Sequence, residues 1–416
     1  ESGLLAQVME LVGEAQQEKS HSEAISDKVA RALFYVAVFA GVIAFIVWYV
    51  LAKDLNVALE RLVTVLIIAC PHALGLAIPL VVARSTSLGA RNGLLIRNRS
   101  ALEKSKKIAI VAMDKTGTLT EGKFRVSVIE SLSPKWSNEQ LLAIMAAIES
   151  HSNHPLAAGI LVEAKRQQVD FPEAEHVKVI DGAGLSGNVG GRSVKIVKAA
   201  YLDSTGLFYD KEQFESLSKK GNSVSYLIVD GEVVGLVAQG DAIKPEAGNT
   251  IAGMKKMHLV PVMLTGDNEH TAKAIAERVG VDGFKGDLLP EDKLRVIEQL
   301  EAEGGKVGMV GDGINDAPAL AKADIGFAMA GGGTDTAIET ADVALMDDDL
   351  RKIPRFIALS KSTYAILVQN ITLALGVKAL FFALTFMGMA TMWMAVFADV
   401  GTALIVVANG LRAIRK

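Results

Sequence analysis

The 416-residue sequence predicts an α/β chain: a parallel sheet covered by helices, interrupted by an inserted α+β domain, and joined to four transmembrane α-helices. Three observations predict it. Residues 107–345 alternate short apolar runs, such as Leu259–Leu264 and Lys306–Val310, with helical patterns such as His270–Val279 and Glu291–Glu303, the signature of a helix-covered parallel sheet. The stretch 122–236 breaks that alternation with two helical segments and then β-like runs at Ser193–Val197, Ser223–Val229 and Glu232–Ala238. Four apolar stretches, Leu33–Ala52, Leu62–Ala83, Ile366–Phe386 and Met389–Ala408, approach the ~20 residues that a spanning helix needs.

Residues 1–32 form an amphipathic lead-in helix by the spacing of Leu4, Leu5, Val8, Met9, Leu11 and Val12. Residues 33–83 hold two transmembrane helices, and their short connection, Lys53 to Arg61, lies outside. The connector 84–106 carries Arg84, Arg91, Arg97, Arg99 and Lys104, which assigns it to the cytoplasm by the positive-inside rule. The main α/β domain comprises 107–121 and 237–350, with 122–236 inserted after its first strand. Pro261 weakens the run that contains it, since proline suits a strand's start or edge. Residues 351–416 add a basic connector (Arg351, Lys352, Arg355, Lys361), two transmembrane helices and a basic end at Arg412, Arg415 and Lys416. This chain is expected to be integral to a plasma (inner) membrane, with its α/β domains cytoplasmic.

Half of the residues are hydrophobic, and mean hydropathy is +0.32, so membrane lipid is an expected partner. A net charge of −4 argues against a nucleic-acid partner. The single cysteine excludes an internal disulfide. The sequence starts without Met and shows no signal peptide, which predicts an internal fragment or a truncated chain.

The chemistry centres on Asp114-Lys115-Thr116-Gly117-Thr118-Leu119-Thr120, which follows the apolar run Ile108–Met113. A buried strand would deliver Asp114 to its C-terminal edge, where a carboxylate can attack a phosphoryl group. Lys115, the Thr hydroxyls and backbone N–H groups can meet phosphate oxygens. Thr265-Gly266-Asp267 and Gly311-Asp312-Gly313-Ile314-Asn315-Asp316 each follow another predicted strand. Their loops would converge on Asp114. Carboxylates so close repel unless a cation lies between them, which implies Mg²⁺ with Asp312 as second ligand. Lys293, in Leu289-Pro290-Glu291-Asp292-Lys293, opens a helix and would balance charge on the phosphoryl group. Each string alone could be a turn or a cap; the Asp114, Thr265 and Gly311 strings, in this order and each after a strand, read as one phosphoryl-transfer site.

These strings resemble those of the P-type ATPases, ion pumps whose phosphorylated domain has the haloacid-dehalogenase fold. The resemblance runs from about residue 60 to the C-terminus. It implies that Asp114 is phosphorylated by ATP, that Asp114, Asp312 and the Thr116 carbonyl hold Mg²⁺, and that Thr265, Lys293 and Asn315 line the phosphate. Within the insertion, Glu149-Ser-His-Ser-Asn-His154-Pro155 and Asp181-Gly182-Ala183-Gly184 resemble the signature of heavy-metal members. By that resemblance Glu149, His154, Gly182 and Gly184 contact the nucleotide. Glycines let backbone approach a ligand, and a ring can stack on a base.

Cys70-Pro71-His72 falls mid-helix. Proline opens a helix and frees carbonyls, while Cys and His suit copper, zinc or cadmium. The string resembles the Cys-Pro-His form of the heavy-metal motif, associated with copper-type members. Lys378 and Asp399, the charges of the last two apolar stretches, are expected to pair with each other or with an ion. Gly376-Val377-Lys378 and Ala398-Asp399-Val400-Gly401 resemble zinc- and cadmium-type members, in which the Asp binds metal and the Lys is a counter-charge. Cys70, His72 and Asp399 would make a three-ligand site for a divalent ion such as Zn²⁺. Met387, Met389, Met392 and Met394 could serve copper. The sequence leans to a zinc/cadmium-like substrate over copper.

ATP-driven metal export is thus the leading expectation, against a membrane-anchored haloacid-dehalogenase-type phosphatase or a passive metal binder. Such phosphatases usually carry an Asp two residues after the nucleophile; here that residue is Thr116. By resemblance, an actuator domain and further first helices of a parent chain are expected partners. Without them, the chain alone is expected to be phosphorylated at Asp114 but to dephosphorylate slowly and pump nothing.

Overall fold

The computed structural model describes residues 21–70, 72–152, 154–312, 316–331 and 339–412. Most of the expected lead-in helix lies outside the described residues. The chain divides into two compact units, 1–107 with 342–346 and 355–416, and 108–341 with 347–354.

The first unit opens with α1 (His21–Ala52), α2 (Leu55–Ala69), α3 (His72–Arg91), β1 (Leu94–Ile96) and α4 (Arg99–Lys104). Asp54 caps α2, its Oδ1 accepting from Asn56 N at 2.8 Å. The expected single helix over Leu62–Ala83 is not formed. Cys70, at φ −65° and ψ 124°, is extended, because the ring of the following proline disfavours helical backbone before it. The break divides that apolar run between α2, with 15 residues, and α3, whose later turns carry Arg84 and Arg91. Neither piece is long and apolar enough to cross a membrane. Among the described residues three helical stretches are: Asp27–Ala52, Lys352–Phe386 and Met392–Leu411. This corrects the expectation of four.

The second unit carries β2 (Ile110–Asp114), β3 (Thr120–Ser131), α5 (Asn138–Glu149), α6 (Pro155–Arg166), β4 (Ala174–Ile180), β5 (Gly184–Val189), β6 (Arg192–Lys198), α7 (Ala199–Thr205), α8 (Lys211–Lys219), β7 (Asn222–Val229) and β8 (Glu232–Ile243). It continues with α9 (Ala247–Lys256), β9 (Val260–Leu264), α10 (Glu269–Val279), β10 (Gly283–Lys285), α11 (Pro290–Ala302), β11 (Val307–Gly311), α12 (Ala317–Lys322) and β12 (Ile325–Met329). The strands β12, β11, β2, β9 and β10 lie side by side, all parallel. Their buried residues, Ala112, Leu264, Val307 and Met309 among them, pack with Val296 and Ile297 of α11 and Leu320 of α12. Full burial of such side chains stabilises by ~1.5–3 kcal/mol each, so the site at this sheet's edge rests on a well-packed floor. Pro261 is accommodated as the second residue of β9, opposite Val111.

The stretch from Thr120 to Ile243 builds a separate six-stranded sheet in the order β3-β8-β7-β6-β5-β4, antiparallel throughout. Leu141, Met145 and Ile148 of α5 and Ile160 of α6 join one core with Val194, Leu227 and Val237. Leu202 of α7 and Leu217 of α8 join another with Tyr226 and Leu236. A capping box starts α5: Ser137 N donates to Gln140 Oε1 at 2.9 Å, and Gln140 N to Ser137 Oγ at 3.2 Å.

The first unit is completed by β13 (Val343–Leu345), antiparallel to β1, by the helix α13 (Lys352–Phe386), which enters it from residue 355, and by α14 (Met392–Leu411). Arg61 of α2 donates to Gly388 O at 3.1 Å and to Ala390 O, so a guanidinium satisfies carbonyls of the turn between α13 and α14.

Candidate phosphoryl-transfer, nucleotide and metal sites

Asp114 is the last residue of β2, 6% exposed. β9 and β11 flank β2 on either side, so the Thr265-Gly266-Asp267 loop and Asp312 emerge beside it. The turn after Asp114 reverses at Gly117, at φ +71°, a backbone region that disfavours any Cβ. A Cβ there would lie 3.8 Å from Asp312 Oδ2, so Asp312 faces this turn. Thr116 is extended within it. Thr120 Oγ1 donates to Lys115 O at 2.9 Å and closes it.

Lys293, in the first turn of α11, reaches Asp114 Oδ1 at 2.6 Å and Asp316 Oδ1 at 2.7 Å. All three groups are buried, Asp316 completely. Burial, then the Asp316 charge, push the Asp114 carboxyl up to about 7 against the pull of Lys293 and Lys115. Burial also raises Asp316, with Lys293 opposing. Burial by itself would lower the Lys293 amine; the two carboxylates outweigh it and hold the amine above its ordinary value. Lys115 pairs with Asp267 Oδ2, and Ser223 Oγ of β7 donates to Asp267 Oδ1 at 2.8 Å. Burial would raise Asp267, but Lys115 and these hydrogen bonds bring it below the usual range. Thr265 Oγ1 accepts from Asp267 N at 3.1 Å and shapes the loop that contains Gly266. Asn315, together with Gly313 and Ile314, lies outside the described residues.

Asp316 Oδ2 is buried with no hydrogen-bond partner in the described structure. Asp114 and Asp316 flank Lys293, and Asp312 faces the Gly117 turn, so carboxylate oxygens and the turn's carbonyls are the donors on offer. This donor set is hard oxygen and fits Mg²⁺. Asp241 was not foreseen from sequence. At 7% exposure it accepts from Thr120 Oγ1 at 2.5 Å and from Lys123 N at 3.1 Å, holding the far end of the Asp114 turn. The available signal was a carboxylate inside an apolar strand, Val237-Ala238-Gln239-Gly240-Asp241.

Glu149, His154, Gly182 and Gly184 line one cavity of about 280 Å³. Glu149 ends α5, and burial raises its carboxyl to about 7. His154 caps α6, its Nδ1 accepting from Leu156 N at 3.2 Å. Burial and the nearby Lys198 charge lower its basicity, favouring a neutral ring. Gly184, at φ +154°, admits no side chain: a Cβ would lie 1.9 Å from Ile196 O.

In the first unit Lys378 of α13 meets Asp399 of α14, Nζ to Oδ1 at 3.2 Å. The same amine donates to Ile68 O at 2.7 Å and to Cys70 O. The carbonyls released by the α2–α3 break are therefore taken up by a lysine. Lys378, Asp399, Ile68 and Thr402 line a cavity of about 10 Å³. Cys70 and Asp399 thus share one neighbour, whereas the His72 side chain lies outside the described residues. Among the described residues no three His, Cys, Asp or Glu groups gather as a metal site.

Residues 108–324 match the family model "haloacid dehalogenase-like hydrolase". Over 371 residues, 89% of this chain and 55% of the relative, the sequence is 50% identical to "Probable copper-transporting P-type ATPase B" of Staphylococcus aureus. It is 35% identical over 425 residues, 100% of this chain and 58% of the relative, to "Probable cadmium-transporting ATPase" of a Staphylococcus aureus strain. The chain therefore spans little more than half the length of these relatives. Among solved structures, a zinc-transporting PIB-type ATPase in its E2.Pi state is similar at TM-score 0.70 and 36% identity, covering 98% of this chain and 67% of that one. With its Asp-bearing parallel sheet and its paired intramembrane charges, this chain belongs to the haloacid dehalogenase-like hydrolases and, among them, to the heavy-metal P-type ATPases.

Proposed function

We propose that this chain, together with an actuator domain and further helices, drives export of a transition-metal ion across a plasma (inner) membrane through an aspartyl-phosphate formed from ATP at Asp114. The observation that carries the reading is the Lys293 amine held between Asp114 and Asp316, beside the Lys115–Asp267 pair, at one edge of a parallel sheet. An Asp114 oxygen attacks the γ-phosphorus, the bond to the β-phosphate oxygen breaks, and ADP leaves. Lys293 holds Asp114 in place and balances charge on the transferring group. Lys115, Thr116, Thr265 and Asn315 bind its oxygens, while Gly266 and Asp267 shape the loop. Mg²⁺, held by Asp114, Asp312 and the Thr116 carbonyl, would supply charge neutralisation for the phosphoryl oxygens. Glu149, His154, Gly182 and Gly184 bind the nucleotide in the cavity of the insertion, 122–236, and the phosphorylation domain is 107–121 with 237–350. The catalytic domains face the cytoplasm.

For the cargo, copper takes precedence over the zinc/cadmium lean of the sequence. Identity to the copper relative is 50%, against 35% to the cadmium relative and 36% to the zinc structure. The second reading, a divalent zinc- or cadmium-like ion, is favoured by the Lys378–Asp399 pair, since a carboxylate adds little for Cu⁺. Cys70 and His72 are ligands in both, with Lys378 as counter-charge. The test is acid-stable labelling from γ-labelled ATP with Cu⁺, Cu²⁺, Zn²⁺ and Cd²⁺ in turn. Copper should stimulate labelling most, and Asp114→Asn should abolish it while metal binding survives. Labelling that no metal stimulates would remove the transport reading.

A further inference from the structure

Among the described residues lining the nucleotide cavity, one is a Lys or Arg: Lys198. It ends β6, where its N–H donates to Ala183 O at 2.9 Å. That bond ties its backbone to the turn between Gly182 and Gly184. Its side chain points the other way along the surface, Nζ 3.5 Å from Gly266 O. Gly266 precedes Asp267, the partner of Lys115, and Lys115 follows Asp114. One exposed side chain therefore bridges the nucleotide cavity and the phosphoryl site.

We propose that Lys198 grips the phosphate chain of the nucleotide and leads it from the cavity to Asp114, so that the site prefers nucleoside triphosphates to nucleosides. The inference rests on the nucleotide reading of this cavity and adds the residue that reads charge. The other two lysines near the path are held at its far end, Lys115 by Asp267 and Lys293 by Asp114 and Asp316, where they serve the transferring phosphoryl group rather than the phosphates nearer the cavity. Lys198 instead makes a long bond to a neutral carbonyl, which an anion would readily displace. A cavity of about 280 Å³ is at the small end for ligand sites. It suits the base and sugar, leaving the phosphates to project past its rim. The field of Lys198 reaches both ends of that path, lowering the basicity of His154 and helping to lower Asp267.

The test is equilibrium binding of adenosine, AMP, ADP and ATP to the 416-residue chain in detergent, for wild type, Lys198→Gln and Lys198→Arg. Lys198→Gln should weaken ATP about tenfold, as expected for one charge-assisted hydrogen bond, and leave adenosine unchanged. Lys198→Arg should restore ATP affinity, and raised salt should weaken ATP in wild type more than in Lys198→Gln. Equal loss for adenosine and ATP, or no loss for ATP, would overturn the inference while leaving the nucleotide reading intact. Failure of wild type to bind any of the four would overturn both.

Discussion

Lys293 is buried between two carboxylates that need it for opposite reasons. Asp316 needs a counter-charge to stay ionised, and Asp114, the proposed nucleophile, needs one to stay deprotonated near neutral pH. With Lys293 present the Asp114 carboxyl already stands at about 7. Removing the cation leaves burial and Asp316 unopposed on that side, so the carboxyl rises further. Lys293→Met should therefore shift the pH midpoint of Asp114 phosphorylation upward and cut labelling at pH 7 by about 10²–10³-fold. The same change breaks a buried pair, a loss of about 3–5 kcal/mol less whatever protonation recovers. Labelling across pH 6–9 beside a thermal melt checks both; an unmoved midpoint would refute the coupling. Asp114 and Asp316 were legible in sequence because each belongs to a string that follows a strand, and Lys293 because its string opens a helix. Asp241 was not legible, because a carboxylate within a strand looks like surface until the strand is known to be buried. Ser223 was hidden similarly: its partner, Asp267, lies 44 residues away.

At the scale of elements, legibility followed periodicity. β2, β9 and β11 are buried on both faces and read as apolar runs ending at a motif. β3 alternates exposure only over its first part, β4 and β5 do not alternate along their length, and the β3–β8 and β4–β5 pairings carry register shifts, so a period-2 signal is missing or broken. The helix break was half legible: Pro71 announced an opening, but the acceptance of Ile68 O and Cys70 O by Lys378 depends on α13, more than 300 residues on. Gly184 shows what such tertiary approach demands. It starts β5 against the Ile196 carbonyl of β6, with room for no Cβ. Gly184→Ala must push the strands apart, which costs about 1–3 kcal/mol or more. It should also move Ala183, the anchor of Lys198, and so weaken adenosine and ATP alike. That pattern differs from the ATP-selective loss at Lys198→Gln. Thermal melts with paired binding curves distinguish them, and unchanged adenosine affinity in a folded Gly184→Ala chain would count against this view of the turn.

At the scale of the whole molecule, the residues proposed for the metal and those proposed for phosphoryl transfer fall in different units, and any binding linkage between them must be reciprocal. If bound metal raises the affinity for nucleotide, bound nucleotide raises the affinity for the metal by the same factor. The identity of the coupled ion is then readable through a ligand that only some ions use. On the proposed function Asp399 would be such a ligand. Its carboxylate is hard and anionic, so it contributes much to Zn²⁺ or Cd²⁺ and little to Cu⁺, for which a thiolate is the better donor. Lys378 retains its bonds to Ile68 O and Cys70 O without Asp399, so replacing that carboxylate leaves the break between α2 and α3 held. In Asp399→Asn, Cu⁺-stimulated labelling of Asp114 should stay within about threefold of wild type, while any Zn²⁺ or Cd²⁺ stimulation falls by more than about tenfold. Copper stimulation that collapses with the carboxylate, alongside strong divalent stimulation in wild type, would reverse the order of the two substrate readings.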